Sequence, residues 1–149
     1  MDETGFARGT HRPHGWGLKG KRVYGFCDAL TRPRTSLIGA YCRGNASIIA
    51  PLLFDGTCNT QVFNLWLTQA FLPLVPKGSY LVLDNATFHR AASSMDLMKQ
   101  AGIIALFLPP YSPELNPIEK CWANIKRAWR NALNMTLDQV VAMYGYIED

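Results

Sequence analysis

The chain has 149 residues, 48% of them apolar and 17% charged, which is enough to bury the core of one domain and too little for two. That balance excludes a largely disordered chain, and no apolar run approaches the ~20 residues of a membrane helix. Fifteen Lys and Arg against eleven Asp and Glu leave a net charge of +4, which suits a polyanionic partner without requiring one. The start MDETGFARGT holds no secretory hydrophobic core, and Cys27, Cys42, Cys58 and Cys121 lack the paired spacing of a zinc site or a disulfide framework. The expectation is a cytoplasmic protein with reduced thiols and no membrane partner.

Residues 7–34 read as irregular, with Arg8, Arg12, Lys19, Lys21, Arg22, Arg32 and Arg34 against the single acid Asp28, and with Trp16 among them. Ser36–Tyr41 and Ser47–Phe54 are β-rich runs joined by the turn-prone Arg43-Gly44-Asn45, as in an antiparallel hairpin. From Asn59 the apolar residues Val62, Phe63, Trp66, Leu67, Ala70 and Phe71 fall at helical spacing, with Asn59 or Thr60 as N-cap and Pro73 as stop. Tyr80–Leu83 is a short unbroken apolar run, the pattern of a strand buried on both faces. Residues 90–101 suit a helix closed by Gly102, and Ile103–Leu108 reads as a second buried strand ended by Pro109-Pro110. In Pro117–Leu133 the residues Ile118, Trp122, Ile125, Trp129 and Leu133 recur at three- and four-residue steps, so a long amphipathic helix is expected. A shorter helix over Thr136–Tyr146 has Thr136 and Gln139 in capping-box positions. A hairpin followed by alternating helices and strands predicts an α/β fold, a mixed sheet flanked by helices.

Asp84 ends a buried strand, where an acid is directed at the crevice above a sheet; a turn-capping role for Asp84 or Asn85 is the alternative. Glu119 lies in the first turn of the long helix, behind the Pro-studded approach Tyr111–Pro117. Asn116 as N-cap, Pro117 at the first helical position and Glu119 three after the cap would also make a capping box. A carboxylate has two oxygens, so the two roles are compatible. His11 and His14 have H-x-x-H spacing but no helix to align them, which favours solvated loop residues over metal ligands. His89, five residues past Asp84, either approaches the active site or the DNA, or packs the turn. Glu114 and Glu3 are the rivals of Glu119 and Asp2.

Leu81-Val82-Leu83-Asp84-Asn85-Ala86 with Phe88-His89, then Leu108 through Glu119 with Trp122 and Lys126, resembles the catalytic domain of DDE transposases of the mariner superfamily, nearest the bacterial insertion-sequence six-thirty branch. Thirty-four residues separate Asp84 from Glu119, the family spacing of the second and third acids, and Asp2–Phe6 with Gly15–Arg22 resembles the first-acid segment and its Gly-Trp block. The resemblance implies one partial catalytic domain over residues 1–149, with a ribonuclease-H-like fold. In it Asp2, Asp84 and Glu119 hold two divalent ions, Mg²⁺ or Mn²⁺, for DNA strand cleavage and strand transfer at insertion-sequence ends. Three like charges gathered together repel, by roughly 4 kcal/mol per pair at ~4 Å and an effective dielectric near 20, unless cations neutralise them. Oxygen ligands with open positions suit those hard ions, and two such ions serve an in-line phosphodiester displacement.

Asn85, His89 and Asn116 are accessory candidates. Arg12, Trp16, Lys19, Lys21, Arg22, Lys126 and Arg130 are candidates for gripping DNA, cations for phosphates and the indole for a base. DNA is the implied partner, with self-association open. A helix-turn-helix segment is not visible, and only Met1 precedes the first acid. The family's first strand is therefore expected to be largely missing, at a large cost in stability. An upstream-encoded transposase part would then be a partner, or the chain would be an inactive remnant or a non-catalytic DNA-binding module.

Overall fold

The computed structural model describes residues 1–6, 17–22, 24, 34–44, 46–132 and 135–145. Three antiparallel strands make one sheet in the order β1-β2-β3: β1 (Asp2–Phe6), β2 (Thr35–Cys42) and β3 (Ser47–Asp55). The hairpin expected from sequence is β2–β3. Its register slips between Ile38 and Ala40, where β3 carries an extra residue and Ala50 turns to φ 52°. That bulge aims the Ala50 carbonyl at Trp66, whose Nε1 donates to it at 2.7 Å. β4 (Tyr80–Leu83) and β5 (Ile104–Phe107) form a parallel pair, from Tyr80 opposite Ile104 to Leu83 opposite Phe107.

β1 is paired with β2 over all five of its residues, Asp2 opposite Gly39 through Phe6 opposite Thr35. Toward β4 it makes one backbone contact, the Met1 nitrogen donating to the Val82 carbonyl at 2.8 Å. So the first strand is present on its β2 side, while toward β4 the ladder is reduced to that contact among the described residues.

Alternation along β1 and β2 builds two apolar layers. One holds Ile38, Leu81, Leu83 and Met98 with Phe63, Trp66, Leu67 and Phe71 from α1 (Thr60–Trp66) and its continuation. The other holds Phe6, Leu37 and Ile48 under Ile118, Trp122 and Ile125 of α3 (Ile118–Asn131) and Leu137, Val140 and Val141 of α4 (Leu137–Gly145). Residues two apart share a face of a strand, so Asp2 and Phe6 look toward α3 and Glu3 toward α1. α2 (Ala92–Gln100) buries Ser94 and Met98, and Gly102 at φ 74° turns the chain into β5.

Three expectations need correcting. Pro73 does not stop the first helix: α1 passes into a π-turn over Leu67–Phe71 and a 3₁₀ turn over Leu72–Leu74, where a proline in the first turn costs no hydrogen bond. β5 is not buried on both faces, for Ile104 and Leu106 are 43% and 45% exposed, and in β4 Tyr80 is exposed too. Ala105 and Phe107 pack against the core, whereas the face carrying Ile104 and Leu106 is left largely uncovered among the described residues. Asn116 is not a side-chain cap for α3. By contrast the Thr136–Gln139 capping box is formed, with Thr136 N donating to Gln139 Oε1 at 2.8 Å and Gln139 N to Thr136 Oγ1 at 3.3 Å.

Asn59 caps α1, its Oδ1 accepting from Val62 N at 3.0 Å. Asn59→Ala is expected to lower unfolding free energy by about 1 kcal/mol, read from urea midpoints at unchanged slope.

Candidate active site

Asp84 stands just past the end of β4, and the polypeptide turns sharply there. Its Oδ1 accepts from Ala86 N at 2.9 Å, the Asx-turn that the capping alternative called for. The same oxygen lies 2.7 Å from Nδ1 of His89, a side chain with no solvent exposure, whereas the Asp84 side chain is 46% exposed. The histidine bond comes first among the causes that hold the Asp84 carboxyl below its ordinary range.

Asp2 reaches the same place from β1. Its Oδ2 accepts from Nε1 of the buried Trp122 at 3.0 Å, which joins the first strand to α3. The indole gets this close because its β2 neighbour is Gly39: a Cβ there would meet Ile48 Cγ2 at 3.0 Å and Trp122 Cη2 at 3.4 Å. Burial, together with the negative charges of Glu119 and Asp84, pushes the Asp2 carboxyl up to about 6.

Glu119 enters from the first turn of α3. The capping box expected around it is absent: the Asn116 N–H donates to Pro113 O at 2.9 Å and no side chain caps the helix. The 3₁₀ turn Pro113–Leu115 has taken that donor. Buried Asn116 instead directs Nδ2 at the Met1 carbonyl, at a long 3.5 Å, which ties the helix approach to the start of β1.

Asp2, Asp84 and Glu119 thus line one cleft of about 420 Å³, with Asn85, Asn116 and the loop Leu108–Pro113 as its other walls. Among the described residues, no three His, Cys, Asp or Glu side chains stand close enough to grip a single ion as they are. The acids share a cleft without closing into a cage.

The rival acids lie elsewhere. Glu114 faces another groove, beside Leu115 and Pro117, and Glu3 is turned to the α1 side of the sheet. Burial, set against the nearby His89, pushes the Glu3 carboxyl up to about 7. Asn85 lines the cleft with both ends of its amide engaged, Nδ2 donating to Leu108 O at 2.6 Å and Oδ1 accepting from Arg90. It thereby fastens the exit of β4 to the exit of β5. Tyr111, read in the sequence only as part of a stiff approach, stands fully exposed on the rim at φ 57°, a left-handed conformation uncommon for a tyrosine. The signal for it was the proline on either side of Tyr111-Ser112.

Lys19, Lys21 and Arg22 are exposed. Arg12, Trp16, His11 and His14 lie outside the described residues. On α3, Lys126 and Arg130 follow Glu119 by seven and eleven residues, within about 20° of its direction around the helix, some 10 and 16 Å along it. Lys126 is half-buried and Arg130 exposed.

Raised carboxyls make the cation-free protein pH-sensitive. Asp2 and Glu3 bind protons more tightly folded than at their ordinary values of 3.8 and 4.5, so the stability they contribute is complete below those values and lost as pH rises through about 6 and about 7. Asp84, with its carboxyl lowered, acts oppositely and loses its contribution on acidification. The Met1 amino group, lowered by burial to about 6, works against them and adds stability as pH rises from about 6 to 8. The expected result for chelator-treated protein is therefore a melting temperature that falls between pH 4.5 and pH 6 and levels off above, and Asp2→Asn should flatten that fall.

The fold is a mixed α/β one that brings an acid from β1, one from the end of β4 and one from the start of α3 to a single cleft. The chain belongs to the DDE superfamily endonuclease family, whose model matches residues 1–140. It is 31% identical over 111 residues to the uncharacterized protein y4pE/y4sA of Sinorhizobium fredii (strain NBRC 101917 / NGR234), covering 70% of this chain and 76% of that protein. Its fold is similar to that of the Mos1 transposase paired-end complex with left transposon end, at a TM-score of 0.71 and 18% identity over 99% of this chain and 47% of that one. The Mos1 strand transfer complex matches at 0.69 and 19%, over 95% and 44%. The chain spans about half the length of those transposase chains, and the shared fold is the ribonuclease-H-like one. Among the described residues no helix is long and apolar enough to cross a membrane.

Proposed function

We propose that this chain is the catalytic part of a transposase that cuts DNA at insertion-sequence ends and joins the freed strand to a target, with Asp2, Asp84 and Glu119 as its catalytic acids. The observation that carries this is the meeting of those residues, from β1, the end of β4 and the start of α3, in one cleft. The donor set fits divalent cations of the Mg²⁺ or Mn²⁺ class: only oxygen ligands, on an open site, with Asp2 raised by burial and by the negative charges of Glu119 and Asp84, which a cation would offset. Two bound ions would supply activation of water or a DNA 3′-hydroxyl and neutralisation of the leaving oxygen.

The protein's own part is placement. Trp122 holds Asp2, Ala86 N–H and His89 hold Asp84, and the Pro-rich approach sets where α3 and hence Glu119 begin. Asn85 keeps the two parallel strand ends together under the cleft. The Lys126 and Arg130 stripe leads away from Glu119 along α3 and offers a track for a phosphate backbone, and exposed Lys19, Lys21 and Arg22 add to the cationic surface. Arg12 and Trp16, outside the described residues, are proposed to add a phosphate contact and a ring for base stacking. An upstream-encoded part and a second copy of the chain are the partners proposed for recognising the ends.

The test is nicking of a labelled DNA duplex. Nicking that requires Mg²⁺ or Mn²⁺ and stops with chelator supports the proposal; salt-sensitive DNA binding without nicking, indifferent to chelator and to Glu119→Gln, favours the non-catalytic binding module.

A further inference from the structure

His89 is completely buried between aromatic rings, its centroid 4.7 Å from that of Phe63 and 4.4 Å from that of Phe88, both edge-on. Its Nδ1 faces Asp84 Oδ1 at 2.7 Å, and because an ionised carboxylate can only accept, Nδ1 carries the proton. The far nitrogen, Nε2, is buried with no hydrogen-bond partner, as is Glu3 Oε2 on the same side of the sheet. A phenylalanine would fill this aromatic slot without stranding a polar atom. What the imidazole adds, and a phenyl ring lacks, is the bond to Asp84.

That bond and the Ala86 N–H both fall on Oδ1. Among the described residues Oδ2 has no hydrogen bond, and the half-exposed side chain lines the cleft. We propose that His89 is a positioning residue which, wedged between Phe63 and Phe88, locks Asp84 by Oδ1 so that Oδ2 is presented to a divalent cation. The inference rests on the proposed cation-binding role of Asp84. Partners that fix a ligating group in orientation typically change metal affinity by about 10–100-fold when removed.

The experiment is Mn²⁺ binding to the chain without DNA, followed by the electron paramagnetic resonance of the free ion, for wild type, His89→Phe, His89→Asn, His89→Gln and Asp84→Asn. The Asn amide nitrogen occupies nearly the place of Nδ1, while the longer Gln amide falls nearer Nε2. His89→Phe is expected to weaken binding about 10–100-fold with the melting temperature nearly kept, and His89→Asn to recover most of that loss where His89→Gln does not. Should His89→Phe fail to fold, the Asn and Gln pair still decides: a difference of about tenfold supports positioning, and equal affinities overturn it. Wild-type affinity in all the His89 variants, with binding lost in Asp84→Asn, overturns the positioning role and leaves Asp84 as a ligand. Wild-type binding in Asp84→Asn overturns both.

Discussion

Replacing Asp84 by Asn is expected to reduce cation-dependent DNA cleavage by at least about a thousandfold while leaving the fold and DNA binding in place. The substitution keeps the size of the side chain and one oxygen for Ala86 N–H and His89. It removes the negative charge that would hold a cation, and a thousandfold is about 4 kcal/mol of transition-state stabilisation, within what Lewis-acid and nucleophile activation supply together. The layers that hold the sheet, Phe63, Trp66 and Leu67 on one side and Ile118, Trp122 and Ile125 on the other, do not depend on that charge. Single-turnover cleavage, gel-shift titration and thermal melting measured together separate the effects. Loss of all three at once would make Asp84 a structural residue.

The second large effect falls on Trp122. It is buried against Gly39 and Ile48, and it also donates to Asp2, so it serves the core and the site at once. Trp122→Ala is expected to cost about 3–5 kcal/mol, a large share of the ~5–15 kcal/mol that holds an ordinary domain together. Trp122→Phe separates the two duties, keeping most of the packing and removing the donor. Because that donor favours ionised Asp2, its loss raises the carboxyl of the cation-free protein further above about 6, and the pH profile of Mn²⁺ binding, where protons compete for that carboxylate, moves to higher pH. Denaturant titration of the first variant and the pH profile of the second check the two parts. A Phe variant with an unmoved profile would show that the indole bond has no bearing on cation binding.

The periodic elements were legible in the sequence because their burial is one-sided. Ile118, Trp122 and Ile125 mark the inner face of α3, and Thr136 with Gln139 marks the start of α4. Strand burial was less legible, since the apolar run of β5 looks the same whether its second face is covered or open. Glu119 shows a different limit. Asn116-Pro117-Ile118-Glu119 has capping-box spacing, yet the 3₁₀ turn ahead of it takes the Asn116 N–H, and no residue pattern announces that competition. His89 was ambiguous for a related reason. Approach to the site and packing of the turn read as alternatives in the sequence, and the folded chain has both, because the turn after β4 brings residue 89 back under residue 84. Gly39 carries no signal in the sequence, since its significance lies across the sheet, in room for Trp122.

The most direct measurement is anomalous diffraction from crystals of the chain soaked in Mn²⁺. Manganese peaks bounded by the carboxylates of Asp2, Asp84 and Glu119, and gone in Asp84→Asn, are the expected result. An empty cleft at millimolar Mn²⁺, in crystals where all three side chains are ordered, would contradict the proposal that these acids carry the ions for cutting DNA.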